Sequence, residues 1–312
     1  MGERILVTGG AGYLGSILVP ALLERDHEVT VLDTFRHGRP ALLDVCADEK
    51  LEVVRGDARE RAVLEPLVRR ADVLIPLAAV VGAPACDRDR VAARTTNLDA
   101  VRLLLSLRSP SQRVLFPCTN SGYGIGRKDA FCTEESPLRP LSLYGETKVE
   151  AEKAVLDAGN AISFRLATVF GVSPRMRTDL LVNDFVRRAV RDGALVLYEA
   201  QFRRNFIHVR DVARVFLHGL ERFEAMKGGP YNAGLSDANL SKRELCELIR
   251  RHVPGFTFSE APVGKDPDQR DYVVSNEKLE RTGFLPAFSL DDGVRELIKA
   301  YRILRTEPYA DA

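Results

Sequence analysis

The stretch VTGGAGYLGS, Val7 to Ser16, packs four glycines into ten residues directly after the apolar run Ile5-Leu6-Val7. Gly9, Gly12 and Gly15 are spaced G-x-x-G-x-x-G between a predicted strand, Ile5–Thr8, and a predicted helix, Leu14–Leu23. Glycine reaches positive φ and has no Cβ, so this junction can turn tightly and admit a pyrophosphate against the main chain. The free N–H groups and positive dipole end of the following helix favour negative charge there. A tight turn without a ligand would also use glycine, so the surroundings decide. Asp33 closes the next β-rich run, Glu28–Leu32. A carboxylate at that point accepts from both hydroxyls of an adenosine ribose and repels a 2′-phosphate. Strand, glycines, helix and acidic residue in this order predict a dinucleotide site that takes NAD in preference to NADP. Arg36 and Arg39 follow closely in sequence and would suit a phosphorylated ribose.

Outward from this unit the first half of the chain alternates strand and helix. Further β-rich runs lie at Leu51–Val54, Val73–Leu77, Val114–Cys118 and Ile162–Leu166, with helical apolar spacing between them, as in Val91–Leu105. Such alternation predicts an α/β fold, a Rossmann-type doubly wound parallel sheet covered on both faces. After about Gly171 the rhythm changes. An amphipathic helix over Asp179–Arg191, short mixed elements, a Gly228-Gly229-Pro230 turn and the Pro-rich segment Pro262–Pro267 predict a smaller C-terminal α+β region. The expected division is 1–170, to which 205–222 returns, and 171–312.

Lys plus Arg (45) nearly cancel Asp plus Glu (44), for a formal net charge of +1. That balance argues against a general nucleic-acid or anionic-membrane binder. No run reaches the length of a membrane span, and the N-terminal apolar run ends at Thr8, too short for a signal peptide. Five scattered cysteines without a C-x-x-C pair read as free thiols, and a cytoplasmic location is expected. The five histidines never approach ligand spacing, so no metal is expected.

A second constellation lies at Tyr144-Gly145-Glu146-Thr147-Lys148, which opens a predicted helix running to Leu156. Tyr and Lys at i and i+4 share a helical face. A lysine cation beside a phenol favours phenolate and lowers its pKa towards working pH, as a general base requires. Taken alone, Y-x-x-x-K is a common surface pair. Its weight comes from following five βα-like units and the hydroxyl-bearing segment Cys118-Thr119-Asn120-Ser121-Gly122-Tyr123-Gly124. With these motifs in place, the whole chain resembles the extended short-chain dehydrogenase/reductase family, in its nucleotide-sugar epimerase and dehydratase branch.

The resemblance implies roles residue by residue. Gly9, Gly12, Tyr13, Leu14, Asp33, Asp57, Ala58, Leu77, Ala78 and Ala79 would bind NAD, together with Tyr144 and Lys148. The fourth-strand motif departs from the family's H-L-A-A, reading Pro76-Leu77-Ala78-Ala79. Thr119, Tyr144 and Lys148 would be catalytic. Val81, Thr119, Asn120, Ser121, Asn183, Arg204 and Arg270 would meet a nucleotide-diphosphate sugar, with Asn183, Arg204 and Arg270 on the diphosphate. Arg203 is adjacent to Arg204 and offers the same chemistry, whereas His208 reads as structural. A homodimer through the helices Val91–Leu105 and Tyr144–Leu156 is implied as well.

The family's dehydratases place an acid and a base directly after the catalytic Ser/Thr, where this chain has Asn120 and Ser121. The decarboxylating branch uses Glu, and the 3,5-epimerising branch Cys, at the position of Ser121. What remains is an NAD-dependent epimerase acting at C4 through a transient 4-keto sugar. The alternatives are an NAD(P)H-dependent reductase of a 4-keto sugar and a non-catalytic dinucleotide-binding module.

Overall fold

A computed structural model describes residues 2–38, 41–127, 130–261, 263–264 and 270–304. Arg39 and most of Pro262–Pro267 fall outside them. Strands β1 (Arg4–Thr8), β2 (Glu28–Asp33), β3 (Leu51–Arg55), β4 (Val73–Pro76), β5 (Arg113–Thr119) and β6 (Ala161–Leu166) lie where the β-rich runs predict them. All are parallel within a seven-stranded sheet.

Alternate residues of each strand feed opposite faces of this sheet, the consequence of the two-residue pleat. Ile5, Val7, Ile75, Leu115 and Phe164 pack under the helices Gly15–Leu23 and Val209–Glu221. Leu6, Leu74, Val114 and Phe116 pack under Arg61–Arg70, Ala100–Leu107 and Leu143–Asp157. Burial on both faces is what makes β1, β4, β5 and β6 nearly continuous buried runs rather than alternating ones.

Three features depart from the sequence reading. The small-region strands are β7 (Thr168–Phe170), β8 (Ala194–Leu197), β9 (Arg203–His208), β11 (Asn239–Ser241) and β12 (Thr257–Glu260), with β10 (Pro230–Ala233) between β9 and β11 in sequence. Of these, β10 leaves the small region and completes the main sheet, whose order is β10-β6-β5-β4-β1-β2-β3. Pro230 begins this edge strand, where a missing N–H is tolerated. The segment 205–222 straddles both layers. β9 pairs with β7 and β11, while the helix after it lies on the main sheet, Phe216 meeting Phe164 edge to face at 5.1 Å. Finally, the expected helix Val91–Leu105 is broken into Arg90–Arg94 and Ala100–Leu107 by a π turn over Thr95–Asp99. Among the described residues no helix is long and apolar enough to cross a membrane, and no cluster of three or more metal-ligating side chains occurs.

The strand order reverses between β1 and β4, and the crevice outside the carboxyl ends of such strands is where ligands of doubly wound sheets bind. Gly9 follows β1, Asp33 ends β2, Leu77 follows β4 and Thr119 ends β5. Gly9 has φ +72°, and a Cβ there would stand 2.6 Å from the backbone nitrogen of Ala78. Gly159 has nearly the same conformation, φ +70°, but a Cβ would meet nothing within 4 Å. Gly9→Ala is therefore expected to lower the thermal midpoint more than Gly159→Ala, because it adds a backbone collision to the shared strain of more than about 1 kcal/mol. Equal shifts in a melting experiment would refute the close approach.

Candidate active site

The cofactor end of the crevice is built on backbone. Asp33 accepts from Ala11 N at 3.0 Å and Phe35 N at 2.8 Å, which ties the glycine turn to the end of β2. Leu14 precedes the helix Gly15–Leu23 without a side-chain cap, which leaves backbone N–H groups at that N-terminus. Leu77 N donates to Thr8 O at 2.8 Å, holding the Leu77–Ala79 loop against the turn. Asp57 is engaged by Arg59, whose hydrogen bonds hold its carboxyl below the usual carboxylate range, and Ala58 beside it is buried. Arg59 also donates to Thr95 Oγ1 at 3.2 Å. Tyr13 donates its hydroxyl to Gly171 O at 2.6 Å, so its ring ties the turn to the segment after β7. Burial pushes that phenol well above its ordinary pKa. Bare glycine backbone at a helix N-terminus and a carboxylate at the end of β2 fit a dinucleotide.

At the catalytic end, Ser142 caps the helix Leu143–Asp157 by accepting from Gly145 N at 3.2 Å, which fixes Tyr144 in its first turn. Thr119 is buried at the end of β5, and its hydroxyl is among the groups that lower the pKa of the Tyr144 phenol. Thr119 Oγ1 donates to Ser121 Oγ at 2.9 Å and accepts from Ser121 N at 3.1 Å. Lys148 is 4% exposed, its Nζ 4.2 Å from the centre of the Phe116 ring.

The electrostatics differ from the sequence expectation. Burial pushes the Tyr144 phenol up to about 12, with the Cys118 and Cys86 thiols adding to it, and Arg270 and Thr119 only partly offset this. Burial likewise pulls Lys148 down to about 8, opposed by Cys118 and Glu152. In the ligand-free protein the lysine does not bring the phenol towards neutral pH, because desolvation outweighs the charges around it.

Two groups that sequence reading missed hold this arrangement. Asn97, in the π turn, accepts from Val80 N at 2.7 Å and donates to Val80 O at 2.9 Å, fixing the loop that carries Ala79 and Val81. It also reaches Thr147 Oγ1 at 3.4 Å, on the helix of Tyr144 and Lys148. An interrupted helix was the available signal, but apolar periodicity cannot show a π turn. Glu152 lies one turn beyond Lys148. It is buried, paired with Arg165 at 2.8 Å, and accepts from Ser163 Oγ at 2.6 Å. In the sequence Glu152 is legible only as the next residue on the face that carries Tyr144 and Lys148.

Of the residues expected at the diphosphate, Arg204 and Arg270 lie on neighbouring segments, Tyr272 N donating to Arg203 O at 3.4 Å. Asn183 is fully buried and engaged: Oδ1 accepts from Gly171 N at 3.0 Å, and Nδ2 donates to Arg177 O at 2.7 Å. Its amide holds the segment after β7. Arg204 is the inward residue of its pair, 2% exposed and 5.7 Å from the Tyr272 ring centre. Arg203 turns outward to Asn239 O at 3.0 Å and Glu244 at 3.3 Å, so it does not take Arg204's place. Arg270 donates to Ser121 Oγ and so stands at the catalytic end. Asn120 is buried with both amide atoms lacking a hydrogen-bond partner among the described residues, and Val81 is exposed. His208 is structural: its Nδ1 accepts from Arg210 N at 3.2 Å, leaving Nε2 to bond Glu296 at 2.7 Å.

A doubly wound sheet with a glycine turn at its switch point and a Thr–Tyr–Lys constellation on the adjoining strand and helix defines a dinucleotide-dependent enzyme of the short-chain dehydrogenase/reductase class. The Epimerase family model, described as the NAD dependent epimerase/dehydratase family, matches residues 5–234, and the chain belongs to that family. UDP-glucuronic acid decarboxylase 1 of Arabidopsis thaliana is 28% identical over 313 residues, covering 96% of this chain and 70% of that protein. The NAD complex of UDP-glucose 4-epimerase from Thermus thermophilus superposes with a TM-score of 0.83 at 26% identity, covering 96% of this chain and 99% of that one. DesIV, a dTDP-glucose 4,6-dehydratase from Streptomyces venezuelae solved with NAD bound, gives 0.85 at 27% identity, covering 97% and 98%. These names cover three different reactions, so the likeness defines the family and not the outcome at the sugar.

The depressed Lys148 has a measurable consequence. Below about pH 8 the folded protein must keep a desolvated ammonium, whereas the unfolded chain holds that proton up to about its ordinary 10.5. Between these values unfolding takes up a proton, so this residue's destabilising effect fades as pH rises. Lys148→Met should melt higher than the wild type at pH 7, with the gap closing towards pH 10. A gap independent of pH in paired thermal melts would contradict the burial of the charge.

Proposed function

We propose that the chain inverts C4 of a nucleotide-diphosphate sugar, oxidising it to a 4-keto intermediate and reducing it from the other face. The observation that carries this reading is the surroundings of the phenol. Arg270 is the cation that favours the Tyr144 phenolate, and the two residues that follow Thr119, Asn120 and Ser121, are both uncharged. Loss of water from C5–C6 needs a titratable acid and base beside C4, and Asn120 and Ser121 provide neither near neutral pH.

In this reading Gly9, Gly12, Asp33 and the Leu77–Ala79 loop hold NAD, which supplies a hydride acceptor when bound. Tyr144 takes the proton from the C4 hydroxyl and returns it. Thr119 orients that oxygen through its hydroxyl. Lys148 contributes positive charge on the same helical face, and Arg204 is the guanidinium assigned to the diphosphate. A second reading has one observation in its favour. A phenol held near 12 is a proton donor at neutral pH, which suits reduction of a ready-made 4-keto sugar with NADH or NADPH. We further propose a homodimer through Arg90–Arg94, Ala100–Leu107 and Leu143–Asp157, on a face where Val91 is exposed.

Proton NMR of the purified protein with UDP-, dTDP-, GDP- and CDP-hexoses, with no added cofactor, separates the two chemistries. Appearance of a C4 stereoisomer is expected, and Tyr144→Phe should slow it by roughly 10²-fold or more with the fold kept. Conversion only of 4-keto sugars, and only with added NADH or NADPH, would replace the epimerase by the reductase. Light scattering should return a dimeric mass, and a monomer at micromolar concentration would exclude the two-fold assembly.

A further inference from the structure

We propose that Tyr13 is a positioning residue through which an occupied dinucleotide turn tightens the hold on a nucleotide diphosphate; this rests on the nucleotide-sugar reading above. The link is the strap 171–177, which carries no regular secondary structure between β7 and the helix Leu181–Arg191. Side-chain hydrogen bonds to two elements hold it in shape.

On one side the strap is tied to the glycine turn. The Tyr13 hydroxyl donates to Gly171 O at 2.6 Å, and Ser173 Oγ donates to Tyr13 O at 2.7 Å. Ser16 Oγ, in the first turn of the helix Gly15–Leu23, lies 2.7 Å from Ser173 Oγ. On the other side the strap is tied to Asn183, which accepts from Gly171 N at 3.0 Å and donates to Arg177 O at 2.7 Å. The same amide nitrogen reaches the Tyr13 hydroxyl at 3.4 Å, so the two ties meet at Gly171.

Each tie ends at a place suited to phosphate. Leu14 and Leu180 precede their helices without a side-chain cap, so both N-termini present backbone N–H groups to an anion. The first would meet the cofactor's pyrophosphate, and the second is where Asn183 is expected to meet the diphosphate of the sugar. A ligand that orders the turn through backbone contacts at Tyr13 also orders the strap and the first turn of the second helix. The other ligand then binds an element already ordered and loses less conformational entropy, which is positive coupling without a large movement. A tyrosine that only filled space would alter stability and leave each ligand's affinity independent of the other.

The test is a thermodynamic cycle on protein freed of bound cofactor. NAD affinity is measured by calorimetry with and without saturating UDP, dTDP, GDP or CDP, for the wild type, Tyr13→Phe and Ser173→Ala. One diphosphate should tighten NAD by about 5- to 150-fold, the usual range of such coupling, and NAD should tighten that diphosphate by the same factor. Tyr13→Phe, which keeps the ring, should bring the factor close to one, and Ser173→Ala should reduce it. Hydrogen exchange over residues 171–183 should slow on adding NAD alone to the wild type, and not in Tyr13→Phe. A factor of one in the wild type overturns the proposal, as does a Tyr13→Phe variant that keeps the full factor. Should Tyr13→Phe fail to fold, an undiminished factor in Ser173→Ala overturns it equally. NAD binding with no binding of any diphosphate sinks the nucleotide-sugar reading, whereas independent binding of both ligands sinks the coupling alone.

Discussion

The site depends on one close approach of two backbones at the centre of the sheet. Gly9 leaves β1 at positive φ with its α-carbon turned against Ala78, in the loop that leaves β4. Any side chain at Gly9 would occupy the space in which the two loops meet, at the strand-order reversal. Asp33 then fixes the turn to β2 through Ala11 N, and Asn97 fixes the β4 loop through Val80. Thr119 stands on β5, two strand spacings from β1, which is about 10 Å. The dinucleotide end and the reacting hydroxyl are therefore placed by neighbouring strands of one rigid sheet, and loop flexibility has little to do with it.

Burial sets the chemistry within that frame. Tyr144, Lys148 and Glu152 recur at i, i+4 and i+8, so one face of the helix Leu143–Asp157 presents phenol, ammonium and carboxylate in a row. Arg165 and Ser163 engage both oxygens of Glu152. Removing one partner from such a buried pair generally costs about 3–5 kcal/mol. The pair thus acts as a fixed charge distribution beneath Lys148, favouring its protonated form, while the Phe116 ring face does the same from β5. Neither is enough to overcome desolvation. The phenol stays protonated in the ligand-free protein, and its activation needs further positive charge beside it.

Much of this was legible in the sequence, for reasons that differ between elements. Strands β1, β4, β5 and β6 are visible because burial on both faces demands nearly uninterrupted apolar runs, and the turn because only glycine tolerates the contact at Ala78. β10 was hidden: it is a short edge strand opened by Pro230, directly after a glycine pair that reads as a turn. Thr119, Tyr144 and Lys148 were read as a set from motif and order, and the structure brings them together. Their ionisation was misread because charge pairs can be seen in a sequence, whereas desolvation depends on what lies over them. Asn183 and Arg270 show the same limit. An amide or a guanidinium in the right segment carries no record of its partner, and the fold gives Asn183 to Gly171 and Arg270 to Ser121.

The position after Thr119 shows how a shared frame yields different reactions. Asn120 is 1% exposed and neither end of its amide has a hydrogen-bond partner among the described residues. A buried polar group in that condition generally costs about 1–3 kcal/mol. An aspartate in its place would be worse off as an anion, and would hold its proton until the site needed an acid. Such a group is what elimination chemistry beyond C4 requires. The amide occupies the same volume and can neither release nor take a proton, and Ser121 beside it is tied to Thr119 and Arg270. In the reading proposed above, chemistry is thereby confined to the carbon facing Tyr144.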